Sequence, residues 1–149
     1  MEHATFQSGP RHLSCLLLND NQLVHIPYRA LSGLGNLRIL DLSRNRIIRL
    51  RADDDLDGRL PKLMLDELRL GYNHIERLSA SAFRRFKASN LTILDGNPIQ
   101  SVPDGIFKGC IIKEISFKDC GISHRFSYEA FAGLEVKIKL YVCNFFFIN

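Results

Sequence analysis

The segment LRILDLSRNRIIRL, residues 37–50, contains the pattern from which the rest of the chain is built. Its apolar side chains keep a fixed spacing around one asparagine, as Leu37, Leu40, Leu42, Asn45, Ile47 and Leu50. The alternation of Leu40 and Leu42 is typical of a short strand with one buried face, because successive strand side chains point to opposite sides. The segment therefore predicts a strand followed by a turn at Asn45.

Copies of this pattern occupy most of the chain. The asparagine position recurs at Asn21, Asn45, Asn73, Asn97 and, as a cysteine, Cys120, at spacings of 24, 28, 24 and 23 residues. A second marker recurs every 24 residues, as Phe83, Phe107 and Phe131. Internal repeats of this length indicate a solenoid, in which each unit buries its apolar side chains only against its neighbours.

The pattern resembles that of the leucine-rich repeat family over roughly residues 13–134. It is most similar to the 24-residue repeat found in secreted proteins and receptor ectodomains. The resemblance implies an α/β solenoid, a right-handed superhelix with a curved parallel β-sheet on the concave face and mostly irregular coil on the convex face. We expect an unstructured lead-in over residues 1–12, about five repeats plus a partial sixth over residues 13–143, and an apolar tail over residues 144–149.

The fourth repeat departs from the pattern and leaves two strand registers open. If the 24-residue spacing is kept, Ser89 and Thr92 take leucine positions, while Leu91 and Ile93 point outwards. In the alternative, the strand begins at Leu91 and two residues are missing before Gly96. The distinction matters because a shift of one residue exchanges the two faces of a strand. The unbroken spacing of the flanking markers favours the first register.

Side chains that alternate with the leucines are expected on the concave face, where the family resemblance implies a protein-binding surface. The expected anchors are Arg44, Arg69 and Tyr72, because arginine and aromatic side chains contribute most to affinity in protein interfaces. A simpler interpretation is that mixed charges only keep this face soluble. The candidate binding residues are Leu17, Asp41, Arg44, Glu67, Arg69, Tyr72, Ile93, Asp95 and Lys118.

Two short motifs suggest further sites. Asp53, Asp55 and Asp57 match the first half of an EF-hand calcium loop. Because Met64 stands where the loop needs a bidentate glutamate, we predict a solvated acidic loop and no metal site, with weak calcium binding as the alternative. Asn90-Leu91-Thr92 is an N-glycosylation sequon, which predicts a glycan on Asn90 if the chain enters the secretory pathway.

Four cysteines invite a disulfide interpretation, since their number is even. Their positions argue against it. Cys110 replaces a leucine on the return side of its repeat and Cys120 replaces an asparagine, so both are expected to be buried. Cys15 and Cys143 belong to opposite ends of the stack. We therefore predict four unpaired thiols.

Composition and motifs exclude several functional classes. The chain is 46% hydrophobic and 24% charged, with a net charge of +4. Its longest basic run is Arg84-Arg85 and no aromatic array accompanies it, which argues against nucleic-acid binding. No apolar run reaches the 18 residues typical of a membrane span. Without a nucleophile elbow, a phosphate-binding loop or paired histidines, we expect neither an enzyme nor a cofactor.

These observations predict a non-enzymatic protein-binding module of the recognition, adhesion or receptor type, from an extracellular protein or a membrane-protein ectodomain. The alternative is a cytoplasmic scaffold or regulatory subunit of an enzyme complex. Repeat type and sequon favour the first, whereas the start of the chain, which lacks the apolar core of a secretory signal, favours the second. The apolar ending YVCNFFFIN predicts possible self-association through an uncapped carboxy-terminal edge.

Overall fold

A computed structural model describes residues 10, 12–50, 62–84, 86, 91–122, 127–132, 134 and 139–142. Within them, six short strands form one parallel sheet. The strands of this sheet are β1 (Cys15–Leu17), β2 (Ile39–Asp41), β4 (Glu67–Arg69), β6 (Leu91–Ile93), β7 (Glu114–Phe117) and β8 (Lys139–Val142). They lie in the order in which they occur in the chain. Each repeat therefore contributes one strand and stacks directly on the repeat before it.

Helix is confined to the return side of the coils. Helix α1 spans Tyr28–Leu31, and a single turn of 3₁₀ helix spans Tyr128–Phe131. A second, two-stranded parallel sheet pairs β3 (Arg49–Leu50) with β5 (Arg77–Leu78). The predicted solenoid, with its parallel sheet and irregular return side, is confirmed. The second sheet was not predicted.

The core is a continuous apolar spine to which each coil contributes equivalent side chains. Leu40 and Leu68 are Cα partners in adjacent strands, and both are fully buried. Leu16, their equivalent in the first coil, is only half-buried because it packs against a neighbour on one side. Burial of one leucine side chain contributes about 1.5–3 kcal/mol. A single coil cannot achieve this burial, so the stack folds as a unit.

The recurring phenylalanines form a second row inside the stack. The ring centroids of Phe83 and Phe107 are 5.0 Å apart, and those of Phe107 and Phe131 are 5.7 Å apart. Such separations fall in the favourable range for aromatic pairs. The 24-residue spacing of the phenylalanines therefore places one ring above the next on the return side.

The fourth repeat keeps the register that the spacing favours. Thr92 pairs with Leu68 in β4 and is fully buried. Leu91 and Ile93 flank it on the opposite face, where they are half-buried. The alternative register, in which Leu91 occupies a leucine position and two residues are missing before Gly96, is therefore wrong. A threonine occupies a core position in this coil.

Asparagine side chains connect each coil to the next. The Asn73 amide nitrogen donates hydrogen bonds to the carbonyls of Leu42 (2.9 Å) and Leu70 (3.0 Å), and its oxygen accepts one from the Ile47 backbone N–H (3.0 Å). Asn45 and Asn97 repeat these bonds in their own coils. The amide suits this task because it offers both donors and an acceptor. These residues form the asparagine ladder.

Cys120 ends the ladder with a different set of bonds. Its thiol donates to the carbonyl of Leu94 at 3.3 Å, as the equivalent asparagines do. A thiol offers no amide oxygen, and the Ile99 N–H instead bonds within its own coil to the carbonyl of Asn97 at 2.8 Å. The ladder therefore keeps its donor at this coil and loses its acceptor.

Three of the four cysteines lie among the described residues. Cys15 is exposed, Cys110 is buried and Cys120 is half-buried, and none of them forms a disulfide. Cys120 was expected to be buried, but it is only partly so and packs against the edge of the apolar core. Several predictions fall outside the described residues. They concern Asn90, Asp53, Asp55, Asp57, Cys143 and residues 144–149.

Candidate functional site: the concave face

The concave face is the solvent-facing side of the six-stranded sheet, and its side chains form columns across the strands. One column follows the strand register through Leu17, Asp41, Arg69, Ile93 and Ser116. A second column lies just beyond the strands, at Asn19, Ser43, Gly71, Asp95 and Lys118. Backbone bonds between adjacent coils hold this second column, such as that from Arg44 N–H to Gly71 O at 2.9 Å. Within each column, residues about one repeat apart in the sequence therefore lie side by side.

Arg69 is the centre of an ion-pair network on this face. Its Nη1 lies 3.2 Å from Oδ2 of Asp41 in the preceding strand, and its Nε lies 2.6 Å from Oε1 of Glu67 in its own strand. The Arg69 side chain nevertheless keeps 41% of its surface exposed. The structure therefore brings three candidate residues together and holds the guanidinium in one orientation while leaving it open to solvent.

Asp41 is buried at the base of this network. Burial opposes its ionisation, but hydrogen bonds from the Ser43 hydroxyl (2.6 Å) and backbone N–H (2.9 Å), together with Arg69, outweigh burial and lower the pKa of Asp41. The pKa of Arg69 is raised, chiefly because it donates a hydrogen bond to Glu67. Both groups are charged at neutral pH. The contribution of Asp41 to the concave face is to hold the Arg69 guanidinium in its orientation.

Arg44 and Tyr72 form a second pair, in the column that immediately precedes the asparagine ladder. The Arg44 guanidinium carbon lies 5.3 Å from the centroid of the Tyr72 ring, which is within range of a cation–π interaction. Tyr72 remains 54% exposed, in the turn that follows β4. An aromatic ring and a guanidinium are thus displayed side by side at the edge of the concave face.

The backbone at this column adopts a left-handed conformation in every described coil. The φ values are 55° at Asp20, 54° at Arg44, 55° at Tyr72, 65° at Gly96 and 54° at Asp119. For residues other than glycine this conformation costs about 1–2 kcal/mol. At Arg44 and Tyr72 this cost is offset by the asparagine that follows, Asn45 or Asn73, whose bonds to two coils hold the turn in place. The conformation turns the side chains of Arg44 and Tyr72 outwards.

Gly96 provides the space in which the Tyr72 ring lies. A Cβ atom at Gly96 would stand only 2.5 Å from Cδ1 of Tyr72. The ring therefore rests on the glycine backbone and borders a shallow groove of about 530 Å³, whose walls include His74, Pro98 and Asp119. None of these wall residues is among the candidate binding residues predicted from the sequence. The signal that identifies them is their position on either side of the ladder residue.

The remaining candidates are spread along the face. Leu17 is 59% exposed at the amino-terminal end of the sheet. Ile93 is half-buried next to Arg69, and Oδ1 of Asp95 accepts a hydrogen bond from the Lys118 backbone N–H at 2.9 Å. Ile93, Asp95 and Lys118 lie on the carboxy-terminal side of the Arg44–Tyr72 pair, and Leu17 lies on its amino-terminal side.

The described residues lack two other kinds of site. They contain no cluster of three or more histidine, cysteine, aspartate or glutamate side chains arranged to hold a metal ion. Across the same residues, no helix combines the length and apolar character needed to cross a bilayer.

Comparison with known proteins supports the assignment of the repeats. The model of the family described as "Leucine rich repeat" matches residues 1–54. The chain is 34% identical to fibromodulin of Oryctolagus cuniculus over 100 residues, which are 67% of this chain and 63% of that protein. It is 44% identical to chaoptin of Drosophila melanogaster over 63 residues, 42% of this chain and 5% of chaoptin.

Two further comparisons agree. The chain is 30% identical to keratocan of Mus musculus over 112 residues, 72% of this chain and 29% of keratocan. It thus spans less than two thirds of the length of each of these relatives. The crystal structure of a TLR13–ssRNA13 complex has the same fold, with a TM-score of 0.55 and 21% identity over 89% of this chain and 22% of that one.

The relatives support a protein-binding module more than an enzyme. Repeat spacing, stacked parallel strands and sequence similarity all lead to the same assignment. The chain belongs to the leucine-rich repeat family.

Proposed function

We propose that the chain is a non-enzymatic recognition module that binds a protein ligand on its concave face. The observation that carries this proposal is the exposed Arg44–Tyr72 pair, with its guanidinium 5.3 Å from the ring centroid. Tyrosine and arginine are enriched among the residues that dominate binding energy at protein interfaces. Such an exposed pair adds little to folding, so its display favours a role in recognition.

The neighbouring Arg69 supports the same role. Because Asp41 and Glu67 hold its guanidinium in place, less side-chain entropy is lost when a ligand carboxylate or carbonyl binds to it. Leu17 offers an exposed apolar contact, while Asp95 and Lys118 contribute polar and charged groups to the rim. A central anchor within a polar rim is the usual anatomy of an interface.

We further propose that the module belongs to an extracellular protein or to the ectodomain of a membrane protein. Similarity to fibromodulin, keratocan and chaoptin supports this placement, as does the 24-residue repeat type. A glycan on Asn90 would accompany it. Treatment of the native protein with an N-glycosidase would then decrease its mass and convert Asn90 to aspartate, whereas an unmodified Asn90 removes this support.

A cytoplasmic scaffold or regulatory subunit is the second candidate. It is favoured by the three described cysteines, Cys15, Cys110 and Cys120, none of which forms a disulfide. Free thiols are common in reducing compartments and disulfides in oxidising ones. Self-association through the apolar carboxy-terminal edge also stays a prediction, and sedimentation at increasing concentration tests it.

The binding proposal is tested with a matched pair of double variants. R44A/Y72A removes the anchor pair, while R84A/I111A removes an exposed arginine and an exposed apolar side chain outside the concave face. Each protein is immobilised, and the proteins retained from a tissue or cell extract are compared by quantitative mass spectrometry. We expect proteins that are retained by wild type and R84A/I111A to be lost with R44A/Y72A.

Stability is measured in parallel, because loss of folding also causes loss of binding. The exposed pair contributes about 0.5–1 kcal/mol, so the Tm of R44A/Y72A should stay close to that of wild type. If all three proteins retain the same set, the ligand does not bind at this pair and the proposal is wrong. The same conclusion follows if binding and Tm fall together.

A further inference from the structure

A basic surface lies beside the asparagine ladder, outside the concave face. We call it the lateral face and define it by the exposed residues that alternate with the buried Ile47, Ile75 and Ile99 and with their equivalent Leu23. Its twelve residues are Gln22, Val24, His25, Arg46, Ile48, Arg49, His74, Glu76, Arg77, Pro98, Gln100 and Ser101. All of them are exposed to solvent. The ladder fixes the backbone behind this face in each coil.

The charge of the lateral face is strongly one-sided. It carries three arginines and two histidines against the single acid Glu76. Within the described part of the chain, no carboxylate lies within 4.0 Å of the guanidinium groups of Arg46, Arg49 or Arg77. Arg69 on the concave face, in contrast, is held by two carboxylates. The arginines of the lateral face therefore have their charge available for a partner.

The basic residues stand in a row that runs along the stack. Arg49 in β3 and Arg77 in β5 are Cα partners in parallel strands, which lie about 4.8 Å apart. The bridge between Arg77 and Ser101 continues the row, and His25 holds the equivalent position four residues after Asn21. Like charges directly opposite each other destabilise a sheet. A bound anion that spans both arginines would remove this repulsion.

We propose that the lateral face binds a linear sulfated polysaccharide that runs along the stack of coils. A guanidinium group matches the oxygen geometry of a sulfate through two parallel hydrogen bonds. Arginines at matching positions of two successive coils suit a polymer whose anionic groups recur along its length. The exposed Val24 (45%) and Ile48 (46%) lie between the basic positions and offer apolar contact to the sugar rings.

A nucleic acid fits this face less well. Proteins that bind single strands pair a basic groove with aromatic side chains on which the bases stack. None of the twelve lateral-face residues is a phenylalanine, tyrosine or tryptophan on which a base could stack. The lateral face contains none of the nine candidate binding residues of the concave face, and it shares only His74 and Pro98 with the groove beside Tyr72. Because Arg49 and Arg77 lie outside that groove, this proposal does not depend on the proposed function.

Binding to immobilised heparin tests the proposal. R49E/R77E reverses the two stacked charges, and R29E/R84E makes the same change of net charge at exposed arginines on the return side. E76Q removes the single acid of the lateral face. We expect R49E/R77E to elute at lower salt and to bind heparin about tenfold more weakly or worse, R29E/R84E to bind like wild type, and E76Q to bind more tightly.

Three further measurements complete the test. If R49E/R77E does not fold, the variant R49Q/R77Q, which removes the two charges without reversing them, takes its place. Heparin should raise the Tm of wild type, since a ligand of the native state stabilises it, and desulfated heparin should not. The proposal is overturned if R49E/R77E and R29E/R84E lose affinity equally, because net charge alone would then explain binding. Tighter binding of a single-stranded oligonucleotide or of polyglutamate through Arg49 and Arg77 would also overturn it.

Discussion

At the scale of single residues, the side chain of Asn73 shows how neighbouring coils are joined. It is 3% exposed, and its amide donates to the carbonyls of Leu42 and Leu70 and accepts from the Ile47 N–H. The two carbonyls also accept hydrogen bonds from Asn45 and Asn97, whereas Asn73 is the partner that the structure shows for the Ile47 N–H. A buried polar group that loses its partner costs about 1–3 kcal/mol. We predict that N73A lowers the free energy of unfolding by about 3 kcal/mol or more, measured by denaturant titration.

Asn21 provides the matched control for this substitution. It stands at the same position in the first coil, but it is exposed and bonds only to carbonyls of its own coil, those of Leu18 and Asn19. N21A should therefore cost about 1 kcal/mol or less. Equal losses for N21A and N73A would mean that the ladder does not connect the coils as described.

The thiol of Cys120 is predicted to be chemically inert in the folded protein. Burial is the main reason that its pKa rises from 9.0 to about 11, so the reactive thiolate is disfavoured. The unfolded chain loses this proton near pH 9 and the folded chain does not, so this group makes the protein less stable as pH rises from about 9 to about 11.

Alkylation with iodoacetamide at pH 8, followed by peptide mapping, measures this difference. Exposed Cys15 should be modified in the native protein, whereas Cys120 and Cys110 should be modified only after unfolding in denaturant. Rapid modification of native Cys120 would contradict the hydrogen bond from its thiol to Leu94 and the burial that raises its pKa.

At the scale of a strand, β6 has a polar side chain buried at a position where the repeat pattern has leucine. The hydroxyl of Thr92 is buried in a leucine position and makes no hydrogen bond to any residue that the structure describes. Burying a hydroxyl without a partner costs about 1–3 kcal/mol. Valine has nearly the same shape and an equal preference for strands.

We therefore predict that T92V stabilises the protein by about 1–2 kcal/mol, as measured by denaturant titration. Ser43 offers a contrast, since its hydroxyl is bonded to Asp41 on the exposed side of the sheet, and S43A should destabilise. If T92V is less stable than wild type, Thr92 does not lie in the core position that pairs with Leu68.

The sequence was sufficient to predict the main sheet but not the small one. The coils that contain β1, β2, β4, β6 and β7 each carry apolar core positions and a ladder residue, and these markers determine the register even in β6, where Thr92 replaces a leucine. Strands β3 and β5 contain two residues each, too few for any alternation to appear. Their pairing results from the stacking of whole coils and leaves no pattern of its own.

At the scale of the whole molecule, the repeat geometry determined which candidate residues are neighbours but not which of them interact. The columns through Asp41 and Arg69 follow directly from the spacing. The pairing of Arg69 with both Asp41 and Glu67, and that of Arg44 with Tyr72, depends on side-chain rotamers and on the left-handed turn before each ladder residue. The spacing of the leucines does not specify these side-chain pairings. The space above Gly96 that receives the Tyr72 ring is likewise a tertiary feature.

The stack also separates two surfaces with different charge. The concave face mixes acids and bases in mutual contact, whereas the lateral face concentrates arginines without carboxylate partners among the described residues. Both surfaces use the same coil-to-coil stacking to bring residues about 24 positions apart into adjacent rows. The concave face and the lateral face therefore both depend on that stacking and its register.

Disulfide trapping between adjacent coils tests this register most directly. Glu67 and Leu91 are Cα partners in β4 and β6, and parallel strands lie about 4.8 Å apart, within the range that a disulfide spans. In a variant whose native cysteines are replaced by serine or alanine, E67C/L91C should form an intramolecular disulfide under mild oxidation. The offset pair E67C/I93C should not, because diagonal partners lie about 7–8 Å apart. Efficient trapping of the offset pair, or of neither pair in a folded protein, would contradict the stacked arrangement.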